Sequence, residues 1–228
     1  MKSIIIACET IQDEVMMAID KTGIKYPVVW IESGLHNYPE VLRDKLQDQI
    51  NKITNVDKIY LAFGYCGNAL LGVYSKEAKL IVPKVDDCIS LLLGSCRIRQ
   101  ELAKEAGTYF LTRGWIEHEN NIIKEYIRCI EKYGKERADK VIKMMLEHYK
   151  YLTLIDTGAY STIDYLDCSQ SFAKNFGLEH RVVSGSINFL KKLFTGPWDQ
   201  DFIIVKPKET ITIESFRNIV EPGAKLSQ

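Results

Sequence analysis

Short apolar runs alternate along the chain with stretches whose apolar positions recur every three or four residues. Ser3-Ile4-Ile5-Ile6-Ala7 is the first run, Pro27-Val28-Val29-Trp30-Ile31 the second and Lys58-Ile59-Tyr60-Leu61-Ala62-Phe63 the third. Lys79-Leu80-Ile81-Val82-Pro83 and Gly107-Thr108-Tyr109-Phe110-Leu111-Thr112 follow. Runs this short, with little polar alternation, read as strands covered on both faces. Between them lie helical patterns. Residues 11–20 put Val15, Met16 and Ile19 on one face, and residues 39–53 form an amphipathic helix with Pro39 in its first turn. Helices are also predicted over residues 89–93 and 97–105.

From residue 119 to 150 the pattern becomes long, charged and helical. Its apolar positions are Ile123, Tyr126, Ile127, Ile130, Val141, Met145 and Tyr149, and Gly134 divides it into two helices. Three more strands are predicted at residues 151–155, 180–183 and 202–205, with helical patterns at 169–176 and 187–194. This alternation predicts an α/β protein with mostly parallel, Rossmann-like sheet or sheets covered by helices and a helical insertion around 119–150. Residues 1–214 read as one α/β domain, with two lobes as the alternative, and 215–228 as a loosely ordered tail.

Composition narrows the class. With 46% hydrophobic residues in 228, the chain has enough apolar side chain for a packed core, which excludes a disordered protein. Thirty basic and thirty acidic residues give a formal net charge of zero, so no nucleic-acid partner is expected. No apolar stretch approaches the ~20 residues that span a bilayer, so no membrane partner is expected. The first residues do not read as a secretory leader, and a cytoplasmic location is the expectation. The six cysteines are then reduced thiols.

In parallel α/β sheets, ligands bind beyond the carboxyl ends of the strands. The predicted strands deliver Cys8, Glu9 and Thr10 there, then a loop with His36, then Gly64, Cys66, Gly67 and Asn68, and then Asp86, Asp87 and Cys88. Later strands deliver Trp115 and Asp156. Three of these loops carry a cysteine and a fourth a histidine. Thiolate and imidazole are the ligands of zinc, and thiolates hold iron–sulfur clusters. Simple packing of buried cysteines is the competing reading. The segment Gly64-Tyr65-Cys66-Gly67-Asn68 matches neither a P-loop nor GxGxxG; it reads as an anion-holding helix start or as a tight strand-to-helix turn. One of Asp86 and Asp87 is expected to cap a helix and the other to serve the site. Cys129 falls on the apolar face of a helix, and Cys96 and Cys168 lean structural. His118, His148 and His180 read as surface. Trp115, Tyr160 and Trp198 line a pocket for a flat ligand or simply cover the edge of the core.

Several segments resemble the DUF1638 family. They are Glu32-Ser33-Gly34-Leu35-His36-Asn37-Tyr38-Pro39, Gly64-Tyr65-Cys66-Gly67-Asn68, the stretch from Pro83 through Asp86-Asp87-Cys88 to Ser95, the stretch from Gly107 to Glu117, and Ile155-Asp156-Thr157-Gly158. The resemblance implies an anaerobic one-carbon context, with relatives in methanogens and anaerobic bacteria near corrinoid-dependent methyltransferases. Cys8, Cys66 and Cys88 match the family's cysteine positions and His36 its loop histidine, while Cys96 stands where relatives are expected to lack cysteine.

The resulting expectation is a cysteine-ligated metal or iron–sulfur protein acting on a small molecule in corrinoid-linked methyl transfer. Cys8, Cys66 and Cys88 are the expected ligands of a [4Fe–4S] cluster or zinc, with the cluster slightly preferred. His36, Asp87 and Glu9 are the candidate catalytic groups, and Gly64, Gly67, Asn68, Trp115 and Asp156 the candidate cofactor-binding ones. Whether the chain is an enzyme stays open, with a metal-dependent methyltransferase or a [4Fe–4S]-dependent lyase or sulfur-transfer enzyme as the forms considered. The alternatives are a non-enzymatic accessory that binds a corrinoid protein, methyltransferase or corrinoid cofactor, and a metal-free enzyme with Cys66 as nucleophile and His36 as base. A homodimer is the oligomer considered.

Overall fold

A computed structural model describes residues 2–104, 107–118 and 121–217. The chain divides into two compact units, residues 1–96 with 187–228 and residues 97–186.

The first unit is built on a five-stranded sheet. Its elements are β1 (Ser3–Cys8), α1 (Gln12–Thr22), β2 (Val28–Ile31), α2 (Pro39–Lys52), β3 (Lys58–Ala62), β4 (Lys79–Pro83) and α3 (Cys88–Leu93). After the second unit come α9 (Asn188–Thr195) and β8 (Phe202–Val205). The strand order is β2-β1-β3-β4-β8; all neighbours are parallel except β8, which pairs antiparallel to β4. Successive residues Ile5, Ile6 and Ala7 are all fully buried, which requires both faces of β1 to be covered. On one face Ile6 packs with Leu42, Leu46 and Ile50 of α2. These are spaced four residues apart and form one helical stripe. α1 and α9 pack on each other, and α9 also meets β3 and β4.

The second unit is simpler. It comprises β5 (Gly107–Leu111), α5 (Arg113–Glu117), α6 (Ile122–Tyr133), α7 (Lys135–Met145), β6 (Tyr149–Asp156), α8 (Ile163–Phe176) and β7 (Glu179–Ser184). The helix α4 (Cys96–Lys104) leads into it. The sheet is wholly parallel, in the order β5-β6-β7. Tyr151 to Ile155 are buried without a break, as a central strand demands. Leu111, Ile122, Ile142, Leu152, Leu154 and Phe172 meet in its core.

The architecture is therefore α/β, with mostly parallel sheets covered by helices. Some details differ from the pattern reading. The helical stretch ends at Met145, and Tyr149 already belongs to β6. Gly134 does divide it, with φ of 78°. The face of α7 is shifted by one residue: Ala138 and Ile142 are fully buried, and Leu146 just past its end is buried too, while Val141 and Met145 are exposed. Both registers have four-residue spacing, so periodicity alone does not choose between them. α8 starts at Ile163 rather than 169; its first turn exposes Ile163 but already packs Tyr165 and Leu166 on the core.

The tail expected from 215 begins with an anchor. Phe216 is fully buried in the core of the first unit. Residues 218–228 lie outside the described residues.

Candidate functional site

The sheet of the first unit has its switch in strand order at β1. The chain leaves β1 for β2 on one side and returns to β3 on the other. Crevices form at such points, beyond the carboxyl ends of the strands. Cys8 ends β1 here, and Cys66 lies four residues past the end of β3.

No helix follows β3. Cys66, Gly67 and Asn68 are all left-handed, with φ of 45°, 62° and 78°, and Gly72 has φ of 82°. Consecutive left-handed residues cannot continue as a right-handed helix. Both readings of this segment that assumed a helix are thereby corrected: it is a coiled turn between two parallel strands.

The turn is pinned from several sides. Tyr65 N–H donates to Val85 O and Cys66 N–H to Asp86 O, each at 2.8 Å. The Tyr65 hydroxyl donates to Asn68 Oδ1, and Arg43 donates to Asn68 O at 3.1 Å. Asn68 therefore holds the loop through both side chain and carbonyl. A Cβ on Gly67 would lie 3.2 Å from the Pro39 ring.

Gly64 governs the close approach of the two loops. A Cβ at that position would sit 2.5 Å from Asp87 Cα. Only glycine lets the segment after β3 run against the segment after β4. This crossing brings Cys66 up against Cys88. That contact and burial hold Cys88 well above the usual thiol range, while the Gly64 N–H pulls in the opposite direction. Burial pushes Cys8 up to about 12, and Cys88 adds to the rise. The Cys8 thiol donates to Thr10 Oγ1 at 3.2 Å.

The two aspartates divide their tasks. Asp87 is the N-cap of α3, its Oδ1 accepting from Ser90 N–H at 2.9 Å. Asp86 accepts from the Cys96 thiol at 3.4 Å. Burial, with Asp86 second, pushes Cys96 up to about 11. The pattern of the chain points to Asp87 as the site residue and leaves Cys96 out; the structure gives Asp87 the cap and pairs Cys96 with Asp86. Cap position follows from where α3 starts, and Cys96 reaches Asp86 only because α3 ends at Gly94, with φ of 85°. An Asp87→Ala variant is expected to lose about 1 kcal/mol of stability, while Asp87→Asn keeps most of it. Urea unfolding of both variants checks this.

The other candidates are dispersed. Glu9 opens a short 3-10 turn (Glu9–Ile11) directly after Cys8 and adds to the rise of its pKa. His36 lies in the 3-10 turn Leu35–Asn37, where burial lowers its pKa. Trp115 and Asp156 belong to the second unit. Trp115 packs against that unit's core, and Asp156 accepts from Gly158 N–H at 3.1 Å. Trp198 covers the core edge, with Nε1 donating to Leu193 O at 2.8 Å. Cys129 is buried in α6 and Cys168 is exposed. His180 is half-buried, with Nε2 2.9 Å from Ser169 Oγ, rather than a surface residue.

Residues 30–194 match the family of proteins of unknown function DUF1638. The chain belongs to the DUF1638 family. The matched residues take in the glycine crossing of this DUF1638 chain at Gly64 and the thiols of Cys66, Cys88 and Cys96. Cys8 lies before them. No curated protein and no solved structure matches the chain.

Among the described residues, no three His, Cys, Asp or Glu side chains are grouped so as to hold a metal ion. No helix among them is long and apolar enough to cross a membrane.

Proposed function

We propose that the chain acts on a small molecule at the thiol site of its first unit, where Cys66 and Cys88, with Cys8 beside them, take up a thiophilic metal or iron–sulfur group. The observation that carries this reading is the crossing of the loops after β3 and β4 at the switch-point end of a parallel sheet, where Cys66 N–H bonds Asp86 O at 2.8 Å two residues before Cys88. A thiol held protonated by burial, as Cys88 is, ionises when a cation arrives, because metal charge inverts the local preference for the protonated form. The donor set is soft, which favours zinc, copper(I) or iron–sulfur groups over magnesium or calcium.

The fit is better for some groups than for others. Tetrahedral zinc with one open position and a cluster with one open iron each ask for three protein ligands. The loop crossing brings Cys66 and Cys88 near one another and leaves Cys8 bonded to Thr10, so no reaction step is derived through either group. The corrinoid-linked one-carbon setting is proposed as the source of the substrate, through a corrinoid protein or methyltransferase partner. It rests on the family resemblance.

The test is reconstitution under anaerobic conditions, with ferrous iron and sulfide in one sample and with zinc in another. Retained metal, or a visible thiolate-to-iron absorption, that disappears in the Cys66→Ser/Cys88→Ser double variant is the expected result. Protein that retains no metal in any form after desalting overturns the reading.

A further inference from the structure

We infer that a row of lysines at the amino end of the five-stranded sheet binds an elongated multivalent anion of the oligophosphate class. The row is Lys58, Lys79 and Lys206. It lies at the opposite end of the strands from the thiol site, so it goes beyond the reading above and does not rest on it.

Strand register builds the row. β3 and β4 are parallel neighbours, with Lys58 paired to Lys79. β4 and β8 are antiparallel, with Leu80 paired to Val205, and the same register continued by one residue sets Lys206 opposite Lys79. The three also share a face. Ile59, Leu80 and Val205 belong to the core on the α2 side of the sheet. Side chains alternate along a strand, so Lys58, Lys79 and Lys206 stand on the other face. Adjacent strands are about 4.8 Å apart, so the row is roughly 10 Å long at the backbone. Lys79 and Lys206 are exposed and Lys58 is half-buried.

The inner end of the row is held in place. Lys58 Nζ lies 4.5 Å from the centre of the Trp198 ring. That ring packs on Tyr60 with 6.0 Å between centroids, and its Nε1 donates to Leu193 O at 2.8 Å. Carboxylates do not offset the charge. Among the described residues, none of the three ammonium groups is in an ion pair. Asp57, beside Lys58 in the chain, accepts from Lys2 N–H at 2.8 Å, and Glu209 accepts from the backbone N–H of Lys206 at 3.2 Å.

Like charges directly opposite one another across strands destabilise a sheet. Three in register carry a cost that a bound anion removes. Protection of a sheet edge does not account for them. Lysines that block edge pairing sit on the edge strand, whereas β3 and β4 are inner strands. A lysine meets phosphate as a point charge. A line of three such charges suits a chain of phosphates better than a single one.

The experiment titrates the full chain with tripolyphosphate and, separately, with orthophosphate. Calorimetry is run at low ionic strength without divalent cations. The expected result is one saturable site per chain that weakens as salt screens the surface charges. Lys79→Ala and Lys206→Ala should each weaken tripolyphosphate binding about 2–5-fold, the worth of an exposed charge pair. Tripolyphosphate, with two further contacts of that size, should bind roughly 10-fold more tightly than orthophosphate. Lys140→Ala, which removes an exposed lysine already paired with Glu136, should leave binding unchanged. Lys79→Glu is the sharper variant. It should abolish binding and yet raise the urea midpoint, because opposite charges then stand in register where like charges stood.

Equal affinity for the two anions overturns the elongated ligand. Absence of saturable tripolyphosphate binding overturns the site, and so does full-strength binding by Lys79→Glu that circular dichroism shows to be folded. Tighter binding of a short single-stranded oligonucleotide than of tripolyphosphate overturns the small-anion class and marks a nucleic-acid surface instead.

Discussion

Gly64→Ala is expected to cost about 3 kcal/mol of stability or more and to part the two site loops. The added methyl would stand 2.5 Å from Asp87 Cα, 2.6 Å from Asp87 N and 2.7 Å from Asp87 C. These are backbone atoms, so no side chain can swing aside to make room. Overpacking against movable groups costs roughly 1–3 kcal/mol, and an immovable partner puts this site at the upper end of that range or beyond it. The relief must come from the segment after β4 moving away. That would break the Tyr65 to Val85 and Cys66 to Asp86 hydrogen bonds and separate Cys66 from Cys88.

Two measurements check the outcome. The urea midpoint should fall sharply, and the thiols of Cys66 and Cys88 should react faster with a disulfide reagent in the folded variant. Gly72→Ala is the control. Its Cβ would meet nothing within 4 Å, but its φ is 82°. It should cost only the left-handed strain, roughly 1–2 kcal/mol, and leave the thiols unchanged. Equal losses in the two variants would show that the crossing at Gly64 is not what holds the loops together.

Phe216→Ala is expected to destabilise the first unit by about 3–5 kcal/mol, the range for emptying a buried aromatic site. The ring is fully buried, and its centroid lies 4.7 Å from that of Tyr65 at an interplanar angle of 55°. The 3-10 turn that carries it (Ile213–Phe216) is closed by a reciprocal pair of bonds between Thr212 and Ser215. The effect should reach the site, because Tyr65 precedes Cys66 and its hydroxyl holds Asn68. Chemical unfolding of Phe216→Ala and of Phe216→Leu checks this. Leucine should recover a large part of the loss, because most of the volume is kept. A loss below about 1 kcal/mol for alanine would mean that the end of the chain is not part of the core.

Gly64 and Phe216 also mark how far a sequence can be read. Gly64 is visible there as a glycine beside a cysteine, but its reason for being glycine is not. That reason is the Cα of Asp87, 23 positions away and brought near by parallel pairing of β3 with β4. Phe216 stands alone between Glu214-Ser215 and Arg217, so its immediate neighbours do not distinguish it from a frayed end. Its partner Tyr65 is brought to it by the fold.

The division is physical. Burial on both faces leaves a mark on composition, so the uninterrupted runs at residues 3–7, 58–63 and 79–83 reveal parallel strands, and with them an α/β fold. The positions of Cys8, Cys66 and Cys88 just past strand ends follow from the same runs. Which of them meet is not in the pattern, because partners are set by loop paths that no periodicity encodes. The left-handed turn at 66–68 puts Cys66 against Cys88, and the rotation of Cys8 toward Thr10 takes the third thiol out of line. In the same way, the start of α3 makes Asp87 a cap and leaves Asp86 to meet Cys96, a contact across ten residues of chain. The sequence by itself determined the strands, the helices and the end of the sheet where the thiols gather. The tertiary structure alone decided which of them meet, because contact depends on backbone crossings between segments far apart in the chain.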